Sequence, residues 1–557
     1  MAIGLSFVLL IAYQSYIAWK YPPVNPPASA EQGKPGDAQG QQPVAGAQAP
    51  TVASGDNVPA PLSNRASAVS APQTTTPVAA TLAGEGPKVT FANAFMQGEV
   101  NLKGGRLTDI RFLKHQTSLD EDGEPIRFFS TEGNAILFQE SRFLPGPGNG
   151  IKMPDGKALW TVVGDEPNLT SGGSLRLAWN NGEGVTFEKL FTFEPEGYLF
   201  RMEDRVVNQS DQPLTFYHFT QFKRVPVIAE EDLMMMADFQ GPMGYLDGER
   251  YTHSYDDVRE GDIYQQAHSG WAGFSDKYFL AALLPEQPAP QGAARRYYFD
   301  YDLPTFRVGM VNNTITVAPG MAQNVAYKMY AGPKEIETLE SYGLLLERSI
   351  DYGWFHFLAV PLVKTLLFFN SFVMNFGLSI ILLTLLIKLI FFPLANKSYR
   401  SMNAMKKLQP KIEELKKLYG SDRNKMNQEM MNLYQTHKVN PLGGCLPILI
   451  QIPVFFALYK VLFLSIEMRH APFMAWIGDL SAKDPFFVLP LLMGASMFIQ
   501  TKLNPTPSDP MQAKIMLFLP VIFTVMFLGF PSGLVLYWLV NNVLSISQQW
   551  YIMKKMG

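Results

Sequence analysis

Residues 372–394 form an apolar stretch in which Lys388 is the single ionisable side chain. About 20 apolar residues make an α-helix long enough to cross the hydrocarbon core of a bilayer. A Lys near the centre of such a helix costs about 2.5 to 3.5 kcal/mol on insertion scales, so it usually faces a protein interior or a water-filled cavity. The simpler alternative is that the Lys388 side chain extends along its helix and places the ammonium among the lipid headgroups. This stretch alone leaves both interpretations open.

Four further apolar stretches lie in the C-terminal part of the chain, and none contains Asp or Glu: 442–464, 486–502, 515–530 and 534–552. With an apolar stretch at residues 1–20, they predict a polytopic α-helical membrane protein of six spans, five of which form a core over residues 372–557. Residues 351–371 are rich in aromatic side chains around Pro361. This composition favours an amphipathic helix that lies in the membrane interface.

The N-terminal stretch predicts a transmembrane anchor over residues 1–20. It ends in Trp19 and Lys20 without the small-residue cleavage site of a signal peptide. Residues 21–87 are rich in Pro, Ala and Gln and poor in large apolar side chains. Such a segment buries too little apolar surface to offset chain entropy, so we expect a disordered periplasmic linker.

Residues 88–350 show short alternating runs such as VTFEKLFTFEP, separated by Gly, Pro, Asn and Asp. This pattern predicts a large all-β sandwich, followed by a helix over 334–350. The side chains in it that could serve catalysis share no recognisable spacing: His218, Glu230, Glu231, Asp232 and His253. A binding or scaffolding domain is therefore favoured over an enzyme, and no metal or other cofactor is predicted. The single cysteine, Cys445, excludes an internal disulfide.

Charge predicts the orientation of the chain. Residues 397–438 hold 10 Lys and Arg against 4 Asp and Glu, and Lys554 and Lys555 lie near the C-terminus. The positive-inside rule places both segments in the cytoplasm, which puts the N-terminus inside and the β domain in the periplasm. Apolar side chains at helical spacing in 397–438 predict a helical hairpin bent at Pro410. Its basic outer face suits lipid headgroups or ribosomal RNA.

Several polar residues inside the predicted spans recur at helical spacing. Thr384 lies one turn before Lys388, and the last span carries a polar stripe of Trp538, Asn541, Asn542, Ser545, Gln548 and Gln549. Gln451 and Ser496 add one polar residue from each of two further spans. These residues either form helix–helix hydrogen bonds or line a hydrated groove. The spans supply no carboxylate to pair with Lys388, which favours the groove. A secondary transporter and a glycan-processing enzyme remain as alternative functions. The sequence contains no G-x-x-x-x-G-K-[ST] phosphate-binding loop, so nucleotide binding is not predicted.

The C-terminal part also resembles a known family. The stretches that carry the likeness are GWFHF, SFVMNFGLSII, LQPKI, QEMMNLY, VNPLGGCLPILIQIPVFFALY and DPMQAKIMLFLPVIFTVMFLGFPSGLVLYW. They resemble the YidC/Oxa/Alb membrane protein insertases, and the whole layout resembles the Gram-negative branch of that family. The segment SGWAGFSDKYFLAALLP is similar to the periplasmic β-supersandwich of that branch, a sugar-enzyme-like fold without the enzyme's activity.

The resemblance implies an insertase in the bacterial inner membrane, with a hydrophilic groove open to the cytoplasm and to lipid. Lys388 matches the groove cation, Thr384 and Trp538 match groove positions, and the hydrophobic slide is implied at Phe455, Met493 and Phe527. Its implied partners are nascent membrane proteins, the Sec translocon, the ribosome and membrane lipids. The family usually has Arg where this chain has Lys388, and often Tyr where it has Trp538. A Lys lacks the planar fork of Arg, so the likeness does not extend to a bidentate carboxylate contact.

Overall fold

The computed structural model describes residues 85–556, with gaps at 120–122, 134, 147–149, 165–168, 228–238, 290–292, 420–421, 438, 440–445 and 505–509. The predicted anchor at 1–20, the linker up to residue 84, and Glu230, Glu231, Asp232 and Cys445 lie outside the described residues. The described residues form a β domain and a helical part that follows it.

The β domain consists of two antiparallel sheets, which confirms the all-β prediction. The ten-stranded sheet contains β1 (Lys88–Ala92), β2 (Met96–Asn101), β3 (Arg106–Gln116), β4 (Pro125–Phe129), β5 (Ile136–Pro145), β10 (Leu214–Val225), β13 (Ile263–Ala267), β16 (Arg295–Asp302), β17 (Thr305–Val311) and β18 (Ile315–Val317). The nine-stranded sheet contains β6 (Thr161–Val162), β7 (Gly173–Asn180), β8 (Val185–Phe193), β9 (Leu199–Asn208), β11 (Gly241–Leu246), β12 (Glu249–Thr252), β14 (Gly270–Ser275), β15 (Phe279–Pro285) and β19 (Ala322–Pro333).

Alternation along the strands produces the core of the β domain. Along β8 every second residue is buried, from Val185 to Phe193, as expected for a strand with one face toward the core. The path through the larger sheet is β1-β2-β3-β5-β10-β17-β16-β13, and through the smaller sheet β12-β11-β14-β15-β19-β9-β8-β7-β6. Large aromatic side chains such as Trp271, Phe112 and Tyr327 are buried in this core.

The helix predicted over 334–350 is wrong in extent. The first helix among the described residues, α1, is a short element within the β domain (Tyr255–Glu260). In the range 334–350 the structure has a short helix, α2 (Ile336–Ser341), and then a 3₁₀ turn at Leu346–Ser349. Gly343 and Leu345 have φ of 63° and 58°. That left-handed conformation cannot continue an α-helix, so the apolar spacing is divided between two short elements.

The helical part contains nine further helices among the described residues. They are α3 (His356–Val373), α4 (Phe376–Ile390), α5 (Phe392–Lys407), α6 (Gln409–Tyr419), α7 (Arg423–Thr436), α8 (Leu446–Leu464), α9 (Val488–Leu503), α10 (Pro510–Phe527) and α11 (Ser532–Met556). The predicted hairpin corresponds to the end of α5 with α6 and α7. Its first arm breaks at Leu408, and Pro410 begins the next helix, where its missing N–H costs no hydrogen bond.

The apolar stretch 372–394 is not one helix. Met374 ends α3 with φ of 49°, and the Asn375 side chain then caps α4 by accepting a hydrogen bond from the Leu378 N–H at 3.0 Å. Helix α4 ends at Ile390, and α5 leaves it at 68°. Lys388 therefore lies in the last turn of α4, where a cation interacts favourably with the helix dipole.

One helical segment among the described residues, Gly353–Val373, is long and apolar enough to cross a membrane. Helices α4 and α5 meet the same criterion only as a bent pair, and the apolar segments Gln451–Leu464, Val488–Leu503 and Lys514–Phe527 are shorter. The segment predicted as an interfacial helix at 351–371 thus forms a helix of spanning length. Its placement in the interface and the count of six spans stay predictions.

Candidate functional site

The Lys388 side chain is held against α11. Its ammonium donates a hydrogen bond to the Ser545 hydroxyl at 2.7 Å, and that hydroxyl donates to the backbone carbonyl of Asn541 at 2.7 Å. The Lys388 side chain is half-buried. An ammonium has three donors, and Ser545 takes one of them.

A cavity of about 40 Å³ opens beside the ammonium. It is lined by Ile387, Lys388, Phe391, Leu394, Ala395, Tyr399 and Gln451. A water molecule needs roughly 10 to 15 Å³ of such volume and two or more polar partners. The Lys388 ammonium, the Tyr399 hydroxyl and the Gln451 amide supply those partners, so the cavity has both the size and the chemistry to hold water.

Gln451 of α8 connects this cavity to α11. Its side-chain amide donates to the Asn541 side-chain oxygen at 2.6 Å. Asn541 and Ser545 are four residues apart and share one face of α11. The structure therefore brings together Lys388, Gln451, Asn541 and Ser545 from three helices, as the sequence predicted for a polar cluster.

Two of the predicted groove residues lie elsewhere. The Asn542 side-chain amide donates to the Ser496 hydroxyl at 3.0 Å, and both side chains are buried between α11 and α9. Asn542 is one residue beyond Asn541, which turns its side chain by about 100° around the helix. This pair is a helix–helix hydrogen bond, separate from the Lys388 cavity.

Thr384 is buried one turn before Lys388, and its hydroxyl donates to the Ile380 backbone carbonyl at 2.6 Å. The hydroxyl proton is thus used within α4. Thr384 does not line the cavity described above.

Trp538 is the centre of an aromatic cluster rather than a cavity wall. Its ring centroid lies 4.7 Å from that of Phe455, 4.9 Å from Phe527 and 6.0 Å from Phe523. These contacts join α8, α10 and α11. Of the three residues predicted for the hydrophobic slide, Met493 and Phe527 are buried and Phe455 is half-buried.

Two residues of α5 belong to this site and were not among the predicted site residues. Asn396 accepts a hydrogen bond from the Gln548 amide of α11 at 2.9 Å, and Tyr399 lines the Lys388 cavity. Gln548 continues the face of Asn541 and Ser545 at i+7 and i+3. That spacing was visible in the sequence, but the partner helix was not, because α5 was treated as part of the hairpin.

The two histidines considered as catalytic candidates in the β domain, His218 and His253, make structural contacts. His218 is buried and pairs with Asp204 at 2.7 Å, and Lys189 pairs with the same carboxylate at 3.0 Å. His253 packs against Phe299 with ring centroids 4.8 Å apart, and burial lowers its pKa. Among the described residues, no group of three or more His, Cys, Asp or Glu side chains is arranged to hold a metal ion.

Two antiparallel sheets joined to apolar helices, with a cationic cavity among those helices, define a helical membrane protein that carries a large all-β domain. Residues 368–557 match the family described as 60Kd inner membrane protein, and residues 88–365 match the YidC periplasmic domain. A relative from Magnetococcus marinus, named membrane protein insertase YidC, is 60% identical over 100% of this chain and 98% of its own length. The chain belongs to the YidC family.

Other similar proteins carry the same name. The Rickettsia bellii protein is 37% identical and covers 86% of this chain and 89% of its own length. The Methylococcus capsulatus protein is 41% identical and covers 82% of this chain and 84% of its own length. A solved YidC insertase crystal structure aligns with 83% of this chain and 92% of its own, at 21% identity and a TM-score of 0.37. The protein is accordingly an inner membrane protein, and its β domain is periplasmic.

Proposed function

We propose that this protein is a membrane protein insertase that receives an acidic polar segment of a nascent inner-membrane protein in the Lys388 cavity. The apolar segment that follows then leaves the cavity sideways into lipid. The insertase name of the relatives supports the activity, and the cavity supplies a physical mechanism for it.

The observation that carries the proposal is a cation with no carboxylate partner among the described residues of the helical bundle. Helices α4, α5, α8, α9, α10 and α11 contain no Asp or Glu, and the Lys388 ammonium is held by a neutral hydroxyl. Opposite charges attract more strongly in a partly buried site than in water. An incoming carboxylate is therefore the ligand that this site favours, while water and the Gln451 amide hydrate the backbone beside it.

The route into lipid is an apolar outer surface on α9 and α10. Leu491 on α9 and Val521, Ile522 and Val525 on α10 are all more than half exposed. Met493 of α9 and Phe527 of α10 are buried, and Phe455 packs against Trp538. In the proposed mechanism these three residues hold the wall in place, and the exposed side chains contact the apolar segment of the substrate.

The proposed membrane arrangement has six spans, with α4, α8, α9, α10 and α11 as the five-helix core and both termini in the cytoplasm. Helix α9 has 16 residues, which is about 24 Å and shorter than the ~30 Å bilayer core. Such a helix favours a locally thin bilayer, which lowers the barrier to insertion. The basic hairpin at 397–438 then faces the cytoplasm, where it suits the ribosome and anionic lipids, and the protein acts alone or beside the Sec translocon.

The two alternative functions have less support. A secondary transporter would need an ion-coupling acid, and the bundle helices contain none. A glycan-processing enzyme would depend on the β domain alone. Deleting residues 88–330 separates this case, since an insertase is expected to keep much of its activity and an enzyme to lose all of it.

Photo-crosslinking tests the proposed function directly. A photoreactive residue replaces Gln451 in the cavity, or Val543 on the exposed side of α11 as the matched control. Ribosome-bound nascent chains with an acidic N-terminal tail are expected to crosslink through that tail to position 451 but not to 543. Normal insertion without any crosslink at 451 would refute the proposal.

A further inference from the structure

Helix α5 closes one side of the Lys388 cavity. Leu394, Ala395 and Tyr399 of α5 line it, opposite Ile387 and Lys388 of α4. Because α5 leaves α4 at a 68° bend, it is a separate helix and not a continuation of α4. One part of the cavity wall therefore belongs to α4, the helix that carries Lys388, and another part belongs to α5.

The contacts between α5 and α11 on this side include polar bonds made by side chains. The Gln548 amide donates to the Asn396 side-chain oxygen at 2.9 Å and to the Phe392 carbonyl at 3.4 Å. These two acceptors lie at the start of α5, directly after the bend. Gln548 therefore ties the first turns of α5 to α11.

Ser545 connects this attachment to the cation. Its hydroxyl accepts the hydrogen bond of the Lys388 ammonium at 2.7 Å. The ammonium keeps two further donors, so a carboxylate can bind it beside Ser545. Ser545 and Gln548 lie three residues apart on one face of α11, so the same face of that helix holds both the cation and the start of α5.

We propose that α5 is a latch on the Lys388 cavity, closed by the hydrogen bonds of the Gln548 amide to Asn396 and to the Phe392 carbonyl. Opening the latch exposes the cavity to the polar segment of a substrate. Gln548 and Asn396 are positioning residues that set how often the cavity is accessible. The role of the latch in substrate admission rests on the insertase function proposed above, but the existence of the latch does not.

Thiol labelling measures the latch without any substrate. In the full-length protein with Cys445→Ser, an Ile387→Cys substitution places a reporter on the α4 side of the cavity, and a water-soluble charged maleimide is added to membrane vesicles. Gln548→Leu is expected to speed labelling about five-fold, the change produced by losing about 1 kcal/mol, the net contribution of one hydrogen bond. Asn396→Ala should give a similar increase by removing the acceptor instead.

Gln549→Leu is the matched control. The neighbouring Gln549 amide bonds Asn504 at 3.3 Å and the Leu503 carbonyl at 3.4 Å, at the end of α9 and not on α5. Its labelling rate should stay within two-fold of the parent. Equal labelling rates in the Gln548→Leu, Asn396→Ala and parent proteins would overturn the latch.

A second experiment connects the latch to insertion. Asn396→Cys with Gln548→Cys, joined by a short bismaleimide in the Cys445→Ser background, should stop insertion of an acidic-tailed substrate. The crosslinked pair Asn504→Cys with Gln549→Cys should leave insertion largely intact. Normal insertion through the crosslinked latch would refute its role in admission, while faster labelling of the Gln548→Leu protein would still establish that α5 opens.

Discussion

Lys388 and Ser545 are 157 residues apart in the chain, and the ammonium of one donates to the hydroxyl of the other at 2.7 Å. This bond holds a cation beside a cavity without neutralising it. A carboxylate partner would have made the site a closed ion pair. A hydroxyl partner leaves the charge available to a ligand.

Ser545→Ala should destabilise the helical part without removing the cation. A hydrogen bond to a charged group contributes about 1.5 to 3 kcal/mol, so we expect a fall of that size in the free energy of unfolding, and retained insertion. Ser547→Ala is the control, because the Ser547 hydroxyl only donates to the Val543 carbonyl of its own helix at 2.8 Å and is exposed. Thermal unfolding of the purified protein in detergent measures both. Equal melting temperatures for the two variants would contradict the structural role of Ser545.

Gly494→Ala should loosen the contact between α9 and α10. A Cβ at Gly494 would overlap the Thr524 side chain, whereas a Cβ at Gly529 would meet no atom within 4 Å. Overpacking of this kind typically costs about 1 to 3 kcal/mol. The melting temperature of Gly494→Ala should therefore fall, while that of Gly529→Ala should change little. A fall of the same size at both positions would show that loss of Gly itself, rather than the close approach, is responsible.

Trp538→Ala should weaken the junction of α8, α10 and α11. Its ring contacts Phe455 and Phe527 at 4.7 and 4.9 Å, and aromatic-to-Ala changes in cores cost about 3 to 5 kcal/mol. Because Trp538 is only half-buried, we expect a cost at or below the lower end of that range. Trp538→Tyr keeps an aromatic ring and should retain most of both stability and insertion. A stable Trp538→Ala protein that no longer inserts substrate would instead assign Trp538 to substrate contact.

The contact between the β domain and the helical part should depend on pH through Glu467. Burial, followed by the negative charges of Glu335 and Glu337, raises the pKa of Glu467 from 4.5 to about 7. The folded protein therefore binds a proton more tightly than the unfolded chain. This contribution to stability is full below about pH 4.5, declines as the pH rises, and is lost above about pH 7, with a total of roughly 3 kcal/mol at most.

Glu467→Gln tests this sign. The variant should melt higher than the parent at pH 8 and show a flatter stability profile between pH 5 and 7. Glu260→Gln is the control, because Glu260 is an exposed carboxylate at the end of α1 in the β domain. If the parent became more stable as the pH rose from 5 to 7, and Glu467→Gln abolished that rise, the assignment would be wrong.

The sequence predicted the β domain and the polar cluster through periodicity. Alternation along strands such as β8 specified the sandwich, and the spacing of Asn541 and Ser545 specified one face of α11. What the spacing could not give was the partner of each side chain, because adjacent residues of a helix face different neighbours. Asn542 therefore bonds Ser496, away from the cavity, although it looked equivalent to Asn541.

The helix ends depend on local geometry that hydropathy does not contain. Hydropathy makes the stretch 372–394 a single apolar span, yet the Asn375 cap and the bend after Ile390 divide it and move Lys388 to the end of a helix. In the same way, the left-handed Gly343 and Leu345 divide the helix predicted over 334–350. The contribution of α5 to the cavity could not be predicted, because its mixture of polar and apolar residues is equally compatible with a hairpin arm and with the wall of a cavity.

The role of the charge at residue 388 is tested by substituting Lys388 and measuring membrane insertion of two substrates. The two substrates differ only in having an acidic or a neutral N-terminal tail. We predict that Lys388→Arg inserts both, that Lys388→Ala loses most insertion of the acidic-tailed substrate, and that Lys388→Glu loses it entirely while the neutral-tailed substrate is affected less. Lys502→Glu, at the end of α9 where the ammonium lies over Phe498, controls for charge elsewhere in the bundle. Normal insertion of the acidic-tailed substrate by Lys388→Glu would contradict the account.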